Sequence, residues 1–333
     1  MKIGIIGDIH FSEYSSILRT EGKKYSTRLE NCIESINWAE EITSDCYRII
    51  YLGDFFDKSF LNSKELTALS EIKWNNCYHE FLVGNHEMGI NNLLFSSAHT
   101  LKTNANRFIV DKPFKLNLGN CEVCYLPYIL EEDRKSSICE YFGKQGDEKR
   151  IIFSHNDIEG IQLGKFISKA GFSIEDIEAN CDLFINGHLH NGSNITDKII
   201  NIGNLTGQNF SEDGFKYEHH IIILDTDTLK YEFYKNPFAI NFYKLENIDD
   251  IYKVENGVIT LKVPEKDILR VKDVLNNNSN ILSSRVIVDY NSSKELKDSK
   301  LLSVDHLNEF RKFVLKEIGD SDLVQEELDI IDG

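Results

Sequence analysis

Short, continuous apolar runs alternate with amphipathic stretches along the first part of the chain. Lys2–Gly7 (KIGIIG), Tyr47–Leu52 (YRIIYL) and Tyr78–Val83 (YHEFLV) read as buried strands. Between them, Thr27–Thr43 carries Leu29, Ile33 and Ile36 at helical spacing, and Ser63–Asn75 carries Leu66, Leu69 and Ile72. From Phe108 the pattern turns strand-rich. Phe114–Leu118 and Cys121–Leu126 flank a Leu118-Gly119-Asn120 turn; Arg150–Phe153, Cys181–Ile185, Asp197–Ile202, His220–Leu224 and Lys230–Tyr234 follow. Strand–helix–strand repetition predicts a layered α/β domain over residues 1–242, with a β-sandwich core flanked by helices.

After about residue 245 the character changes. Gly257–Val263 alternates like a strand, Glu265–Leu275 reads as a helix and Arg285–Tyr290 as another strand, which predicts a small α/β cap domain over 243–298. Asn291–Lys300 (NSSKELKDSK) reads as a linker. Beyond it Leu307, Phe310, Val314 and Ile318 form one helical stripe with Ser303 as a candidate N-cap, so 299–333 is expected to be a linker and helical segment. Such a stripe suits either an intramolecular core or the docking of a partner. No internal repeat is visible.

Composition narrows the classes. The 333 residues are 41% hydrophobic and 27% charged, the make-up of a soluble globular protein of about two domains. Lys plus Arg total 37 against 54 acids, a formal net charge of −17. That charge repels DNA and anionic membranes at long range and disfavours a stand-alone nucleic-acid binder. It leaves room for an enzyme whose metals or partner subunit meet the phosphates. No run approaches the roughly 18 apolar residues of a membrane helix. Met1–Gly7 passes directly into Asp8 and His10, unlike a signal peptide, so a cytoplasmic protein is expected. Of seven cysteines, Cys121 and Cys124 make a CxxC with no second pair, which reads as reduced core thiols rather than a zinc site.

Chemistry gathers where the strands end. The first three runs end in Gly7-Asp8-Ile9-His10, Gly53-Asp54-Phe55-Phe56-Asp57 and Gly84-Asn85-His86-Glu87. Two later ones end in Ser154-His155-Asn156 and Gly187-His188-Leu189-His190. The carboxyl edge of an open α/β sheet is where ligands bind. So many carboxylates and imidazoles in one place are electrostatically costly without cations. Two divalent cations about 3.5–4 Å apart need one bridging carboxylate and two or three further ligands each. This Asp/His/Asn mixture suits manganese, iron or zinc better than magnesium or calcium. A hydroxide between such ions would attack phosphorus in line, and a protonated imidazole would donate to the leaving oxygen. Neither a GxSxG nucleophile nor a Walker GxxxxGK[ST] loop is present.

In order and spacing, D-x-H, GD-x-x-D, GNH-E, a later His and GH-x-H resemble the signature of calcineurin-like metallophosphoesterases, through roughly Met1–Gly192. The resemblance implies that Asp8, His10 and His190 hold one metal, that Asn85, His155 and His188 hold the second, and that Asp54 bridges them. It implies that His86 protonates the leaving group or steadies the transition state. The protein phosphatases of the superfamily have GD-x-x-DRG where Asp57-Lys58-Ser59 stands here. The stretch Ser154–His190 instead looks like the nuclease subunit of SbcCD-type repair complexes, and most like the phage recombination endonucleases. That likeness implies a manganese-dependent exonuclease on double-stranded DNA and endonuclease on single strands or hairpins. It also implies a homodimer formed near Leu61–Asn75 and Asn91–Thr100, a coiled-coil SbcC-type ATPase partner docked by Ser303–Ile318, no membrane, and the host cytoplasm if phage-encoded.

Three departures stand out. Asp57 occupies a position where archaeal and eukaryotic relatives carry histidine, which leaves it either a supporting residue or a directly catalytic one. Glu87 replaces the usual aspartate and is expected to support a neighbouring ligand or His86. Asn204–Phe210 lacks the proline-glycine-serine run of many relatives. Two other readings compete: a small-molecule phosphodiesterase or nucleotidase of the same superfamily, and a catalytically silent scaffold.

Overall fold

The structure, a computed structural model, describes residues 1–14, 23–163 and 166–289. The expected linker and the terminal helix Ser303–Ile318 therefore lie outside the described residues. The chain opens with β1 (Lys2–Ile6), α1 (Thr27–Ile42), β2 (Arg48–Tyr51), α2 (Ser63–Leu69) and β3 (Tyr78–Leu82). A hairpin of β4 (Met88–Gly89) and β5 (Asn92–Ser96) precedes β6 (Arg107–Val110), β7 (Phe114–Leu118) and β8 (Cys121–Leu126). Next come α3 (Cys139–Phe142), β9 (Lys149–Ser154), a small hairpin of β10 (Gln162–Leu163) and β11 (Phe166–Ile167), α4 (Ile174–Asn180) and β12 (Leu183–Asn186). β13 (Ser193–Asn194), β14 (Ile199–Asn201), β15 (His220–Asp225) and β16 (Tyr231–Lys235) complete the two large sheets. β17 (Asn241–Leu245), β18 (Gly257–Pro264), α5 (Ile268–Asn276) and β19 (Ile281–Asp289) make a further layer.

One sheet has the order β16-β15-β1-β2-β3-β6 and the other β13-β14-β12-β9-β8-β7. In the first, β1, β2, β3 and β6 run parallel; in the second, β14, β12, β9 and β8 do. The sheets face each other across a core that includes Ile5, Ile50, Leu52, Leu82, Val123, Phe153 and Ile185. A second core lies under α1, where Leu29, Cys32, Ile36 and Ala39 meet Tyr51, Phe55 and Phe81. A third lies on the outer face of the other sheet, where Ile138, Phe142 and Ile177 meet Cys124, Ile152 and Phe184. Parallel strands covered on both faces must be apolar throughout, which explains the unbroken runs. The result is a mixed α/β fold with helices outside two packed sheets. Among the described residues, no helix is long and apolar enough to cross a membrane.

Cys121 and Cys124 sit on opposite faces of their sheet, in the first and third cores, and both are free. Residues three apart on a strand point to opposite faces, so this CxxC has no common ligand site. α2 is shorter than the expected Ser63–Asn75. A capping box between Asn62 and Glu65 starts it, and the helix stops at Leu69. Past that point the backbone amides of Lys73 and Asn75 donate to Asn37 and Glu40 of α1, at 2.7 and 2.9 Å. These tertiary bonds replace the next helical turn. Ile72 is buried, but Leu66, expected on the same apolar stripe, is 47% exposed. β17, β18 and β19 form a parallel three-stranded sheet whose core includes Leu245, Ile259, Leu261 and Val271 of α5. Ile240, Phe242 and Val258 pack with Phe210, from the segment after β14.

Arg150 on β9 is fully buried. Its Nε donates to Glu122 at 2.5 Å, and its two terminal nitrogens donate to the carbonyls of Gly143, Asn180 and Lys144. It ties β8, β9, α4 and the turn after α3 together. Arg150→Met leaves those carbonyls and a mostly buried carboxylate unpaired. The expected loss is about 2–4 kcal/mol, read as a lower urea midpoint; an unchanged midpoint would contradict it.

Candidate metal centre

Five parallel strands deliver the polar groups to one edge of the sandwich: β1, β2 and β3 from one sheet, β9 and β12 from the other. The loops after them are sharply bent. His10, Asp54 and His188 have φ of 51°, 44° and 70°, the left-handed region that costs a non-glycine residue of order 1 kcal/mol or more. Gly53, with φ of 111°, stands so close to His155 that a Cβ there would lie 2.4 Å from its Nδ1. At Gly84 a Cβ would lie 2.1 Å from Asp54 Oδ1. Glycine at these two places lets side chains from separate loops close on one point.

The converging groups fall into overlapping sets. Ligand atoms of Asp8, His10 and His190 lie within 4.8 Å of one another, as do those of Asp54, His155 and His188. Those of His10, Asp54 and His86 do so as well, so Asp54 belongs to two sets. His10 Nε2 and His190 Nε2 face each other at 3.1 Å. Asn85 Oδ1 lies 3.2 Å from His155 Nε2 and 3.1 Å from His188 Nδ1, while Asp54 Oδ2 is 3.2 Å from the same His155 nitrogen. Asp8 accepts the His188 amide on Oδ1 at 3.1 Å, but its buried Oδ2 has no partner among the described residues. An orphaned buried carboxylate oxygen beside two facing imidazole nitrogens fits a cation.

What stands behind the imidazoles fixes their orientation. His155 Nδ1 donates to the Leu52 carbonyl at 2.8 Å, which turns Nε2 toward Asp54. Asp57 Oδ1 lies 3.2 Å from His10 Nδ1, Asp157 Oδ1 3.2 Å from His188 Nε2, and Glu212 Oε1 3.4 Å from His190 Nδ1. Each carboxylate stands beside the nitrogen opposite the converging point, hydrogen-bonded at His188 and at ion-pair distance at His10 and His190, the arrangement that sets a ligand's tautomer and basicity. Asp57 is itself held by Gln208 Nε2 at 3.0 Å, and Glu212 by Asn204 Nδ2 at 3.0 Å. The segment Asn204–Phe210 thus reaches the site through these side chains, and the Leu205 amide bonds the Asp8 carbonyl at 2.8 Å. Glu87 is fully buried and accepts the backbone amides of Phe56 and Gly84 at 2.9 and 3.0 Å. It pins the second strand-end loop to the third, and its hydrogen bonds go to backbone rather than to His86.

His86 stands apart from the buried groups, with its side chain 42% exposed. Its amide donates to Asp54 Oδ1 at 2.9 Å, and its Nδ1 lies 3.3 Å from the Asp57 carbonyl oxygen. A carbonyl only accepts, so this bond needs the proton on Nδ1 and leaves Nε2 as the ring's other nitrogen, on a side chain that is partly open to solvent.

The electrostatics are those of a site short of positive charge. Burial alone would raise the Asp54 carboxyl, yet the imidazoles of His155, His10 and His86 hold it well below the usual range. Burial disfavours charge on His155, but Asp54 and Asp8 push it up to about 9. Burial and the repulsion of Asp54 push Glu87 up to about 8. Burial pushes His10 down despite Asp57 and Asp54. A cation would relieve this frustration, and binding at His155 would displace the proton that the ring otherwise holds.

Asp157, Gln208 and Glu212 are absent from the sequence expectations. Asp157 stands two residues after His155, inside a run already singled out. Glu212 and Gln208 carry no spacing cue.

The model of the calcineurin-like phosphoesterase family matches residues 1–213. Among solved structures, one chain superimposes at a TM-score of 0.41 and 12% identity, over 71% of this chain and 98% of its own. A 5'-nucleotidase precursor from Thermus thermophilus superimposes at a TM-score of 0.35 and 12% identity, over 71% of this chain. The chain spans about half of that precursor, 54% of its length. No curated protein matches.

Manganese titration checks the arrangement. Asp54→Ala is expected to abolish binding at both sets, and unchanged metal content would overturn the shared role of Asp54. Glu212→Gln should weaken one site about 10- to 100-fold and spare the other. In the native chain affinity should fall as pH drops below about 9, because a growing fraction of His155 then carries the proton a cation must displace.

Proposed function

Since the chain belongs to the calcineurin-like phosphoesterase family, we propose that its two ligand sets hold a pair of manganese ions and that it hydrolyses DNA phosphodiesters, as the nuclease subunit of a recombination or repair complex. One observation carries the phosphoesterase chemistry: Asp54 clusters with His155 and His188 on one side and with His10, itself clustered with Asp8 and His190, on the other, with the exposed imidazole of His86 beside it. The motif order of Ser154–His190 and the β17–β19 layer that follows favour DNA over a small phosphodiester. When bound, a divalent pair supplies an ionised water for in-line attack and neutralises charge on the phosphoryl oxygens.

The chain's own residues do the rest. Asp8, His10 and His190 would hold one ion and Asn85, His155 and His188 the other, with Asp54 contributing a carboxylate to both. Asp57, Asp157 and Glu212 keep the imidazoles in the tautomer that presents a lone pair. His86 presents Nε2 to the departing oxygen and, when protonated, gives it a proton. The loops are bent and pinned before substrate arrives, so little reorganisation is left to the reaction.

A chain of net charge −17 meets DNA weakly by itself. The ATPase partner supplies the basic surface in this reading. A homodimer is proposed through the neighbourhood of α2 and β5, where Phe60, Leu66, Leu94 and Phe95 are exposed.

The test is end-labelled linear duplex DNA with manganese. The native chain should degrade it, whereas His86→Ala should lose about 10²- to 10⁴-fold in rate while still binding two ions. Hydrolysis of bis-(p-nitrophenyl) phosphate with none of DNA, even with the ATPase present, would select the small-molecule reading. Absence of both activities with metal bound would overturn the phosphoesterase reading itself.

A further inference from the structure

Next to the second ligand set lies a cleft of about 310 Å³ that the hydrolytic machinery does not use. It opens between the β4–β5 hairpin and the segment after β8. Met88, Leu94 and Ile129 line it, Asp111 and Asp133 stand among its walls, and Tyr128 lines it on the side of the ligands. The Tyr128 ring is half-buried, its centroid 5.7 Å from that of His188 and 6.4 Å from that of His155. Cleft and ligand set thus share one aromatic wall.

The backbone at Tyr128 is anchored on both sides. Its amide donates to the Val83 carbonyl at 3.0 Å, just before the Gly84-Asn85-His86 turn. Asn156, fully buried beside His155, clamps the same segment from the other side. Its Oδ1 accepts the Ile129 amide at 2.9 Å, and its Nδ2 donates to the carbonyls of Leu126 and Pro127 at 3.2 and 2.9 Å. The backbone that carries the ring is therefore tied to the ligand loops.

The chemistry of the cleft selects its occupant. Two carboxylates repel a further phosphate. An aromatic face with apolar neighbours favours a flat, uncharged group, and stacking a base on an aromatic side chain is sequence-tolerant because every base has a π-face. The volume is at the small end of ligand pockets, enough for one such group.

We propose that Tyr128 is the stacking platform for the nucleobase next to the scissile phosphate, so that this cleft makes the centre prefer nucleotide phosphodiesters to simple alkyl ones. The inference rests on the phosphodiesterase reading and adds the recognition of the base.

Two substrates with the same leaving group test it: thymidine 5′-(p-nitrophenyl phosphate) and methyl p-nitrophenyl phosphate, with the native chain and manganese. The readout is the ratio of their kcat/KM values. The native ratio should favour thymidine. Tyr128→Ala should lower the ratio about tenfold, through KM of the thymidine substrate, as loss of one stack predicts. Tyr128→Phe should keep the ratio within about twofold, since the ring and not the hydroxyl does the stacking. Parallel losses on both substrates in Tyr128→Ala, the result of a merely structural prop for His188, would overturn the proposal. So would a Phe variant as poor as the Ala variant, or no preference for thymidine in the native chain. Hydrolysis of neither substrate by the metal-loaded native chain would overturn the phosphodiesterase reading and this inference with it.

Discussion

Buried charge around Asp54 is the constraint on which the rest of the structure turns. Asp8 and Asp54 are buried within reach of His10 and His155, where water screens them little. The described protein groups leave the cluster unbalanced: among the described residues one carboxylate oxygen of Asp8 has no hydrogen-bond partner, and two ring nitrogens point at each other. Backbone in left-handed conformation at His10, Asp54 and His188 adds strain to that imbalance. Strain and unpaired charge at one spot are retained where an ion or a reaction uses them.

The fold exists to hold those groups at fixed positions. A sandwich of two mostly parallel sheets lets five strand ends meet at one edge, and each strand is clamped by apolar packing on both faces. Polar second contacts then set directions: Asp57, Asp157 and Glu212 behind the imidazoles, Glu87 between the second and third loops, Asn156 under the segment that carries Tyr128. Positioning of this kind comes from rigid elements, and the loops contribute only the last few residues.

What was legible in the sequence follows from the same physics. KIGIIG, YRIIYL and YHEFLV stand out because strands covered on both faces are apolar without interruption, and Asp8, Asp54 and Asn85 then announce themselves as polar residues just past each run. The end of α2 was hidden, because Asn37 and Glu40 of another helix take the amides that would have continued it. Leu66 misled for a related reason, its helical spacing being real while nothing described covers that face. Glu212 and Gln208 were invisible because their partners, His190 and Asp57, are reached through space, in Gln208's case from the far end of the domain. Local pattern reports burial and turns; pairing between distant loops leaves no periodic trace.

The claim at the centre is that one carboxylate, Asp54, joins two adjacent cation sites. Manganese binding followed by electron paramagnetic resonance tests it most directly, since two ions about 3.5–4 Å apart couple their spins. The account predicts two ions per chain at saturation and the multiline spectrum of an exchange-coupled pair. A single ion per chain, or two ions showing only the six-line signal of isolated manganese, would contradict it.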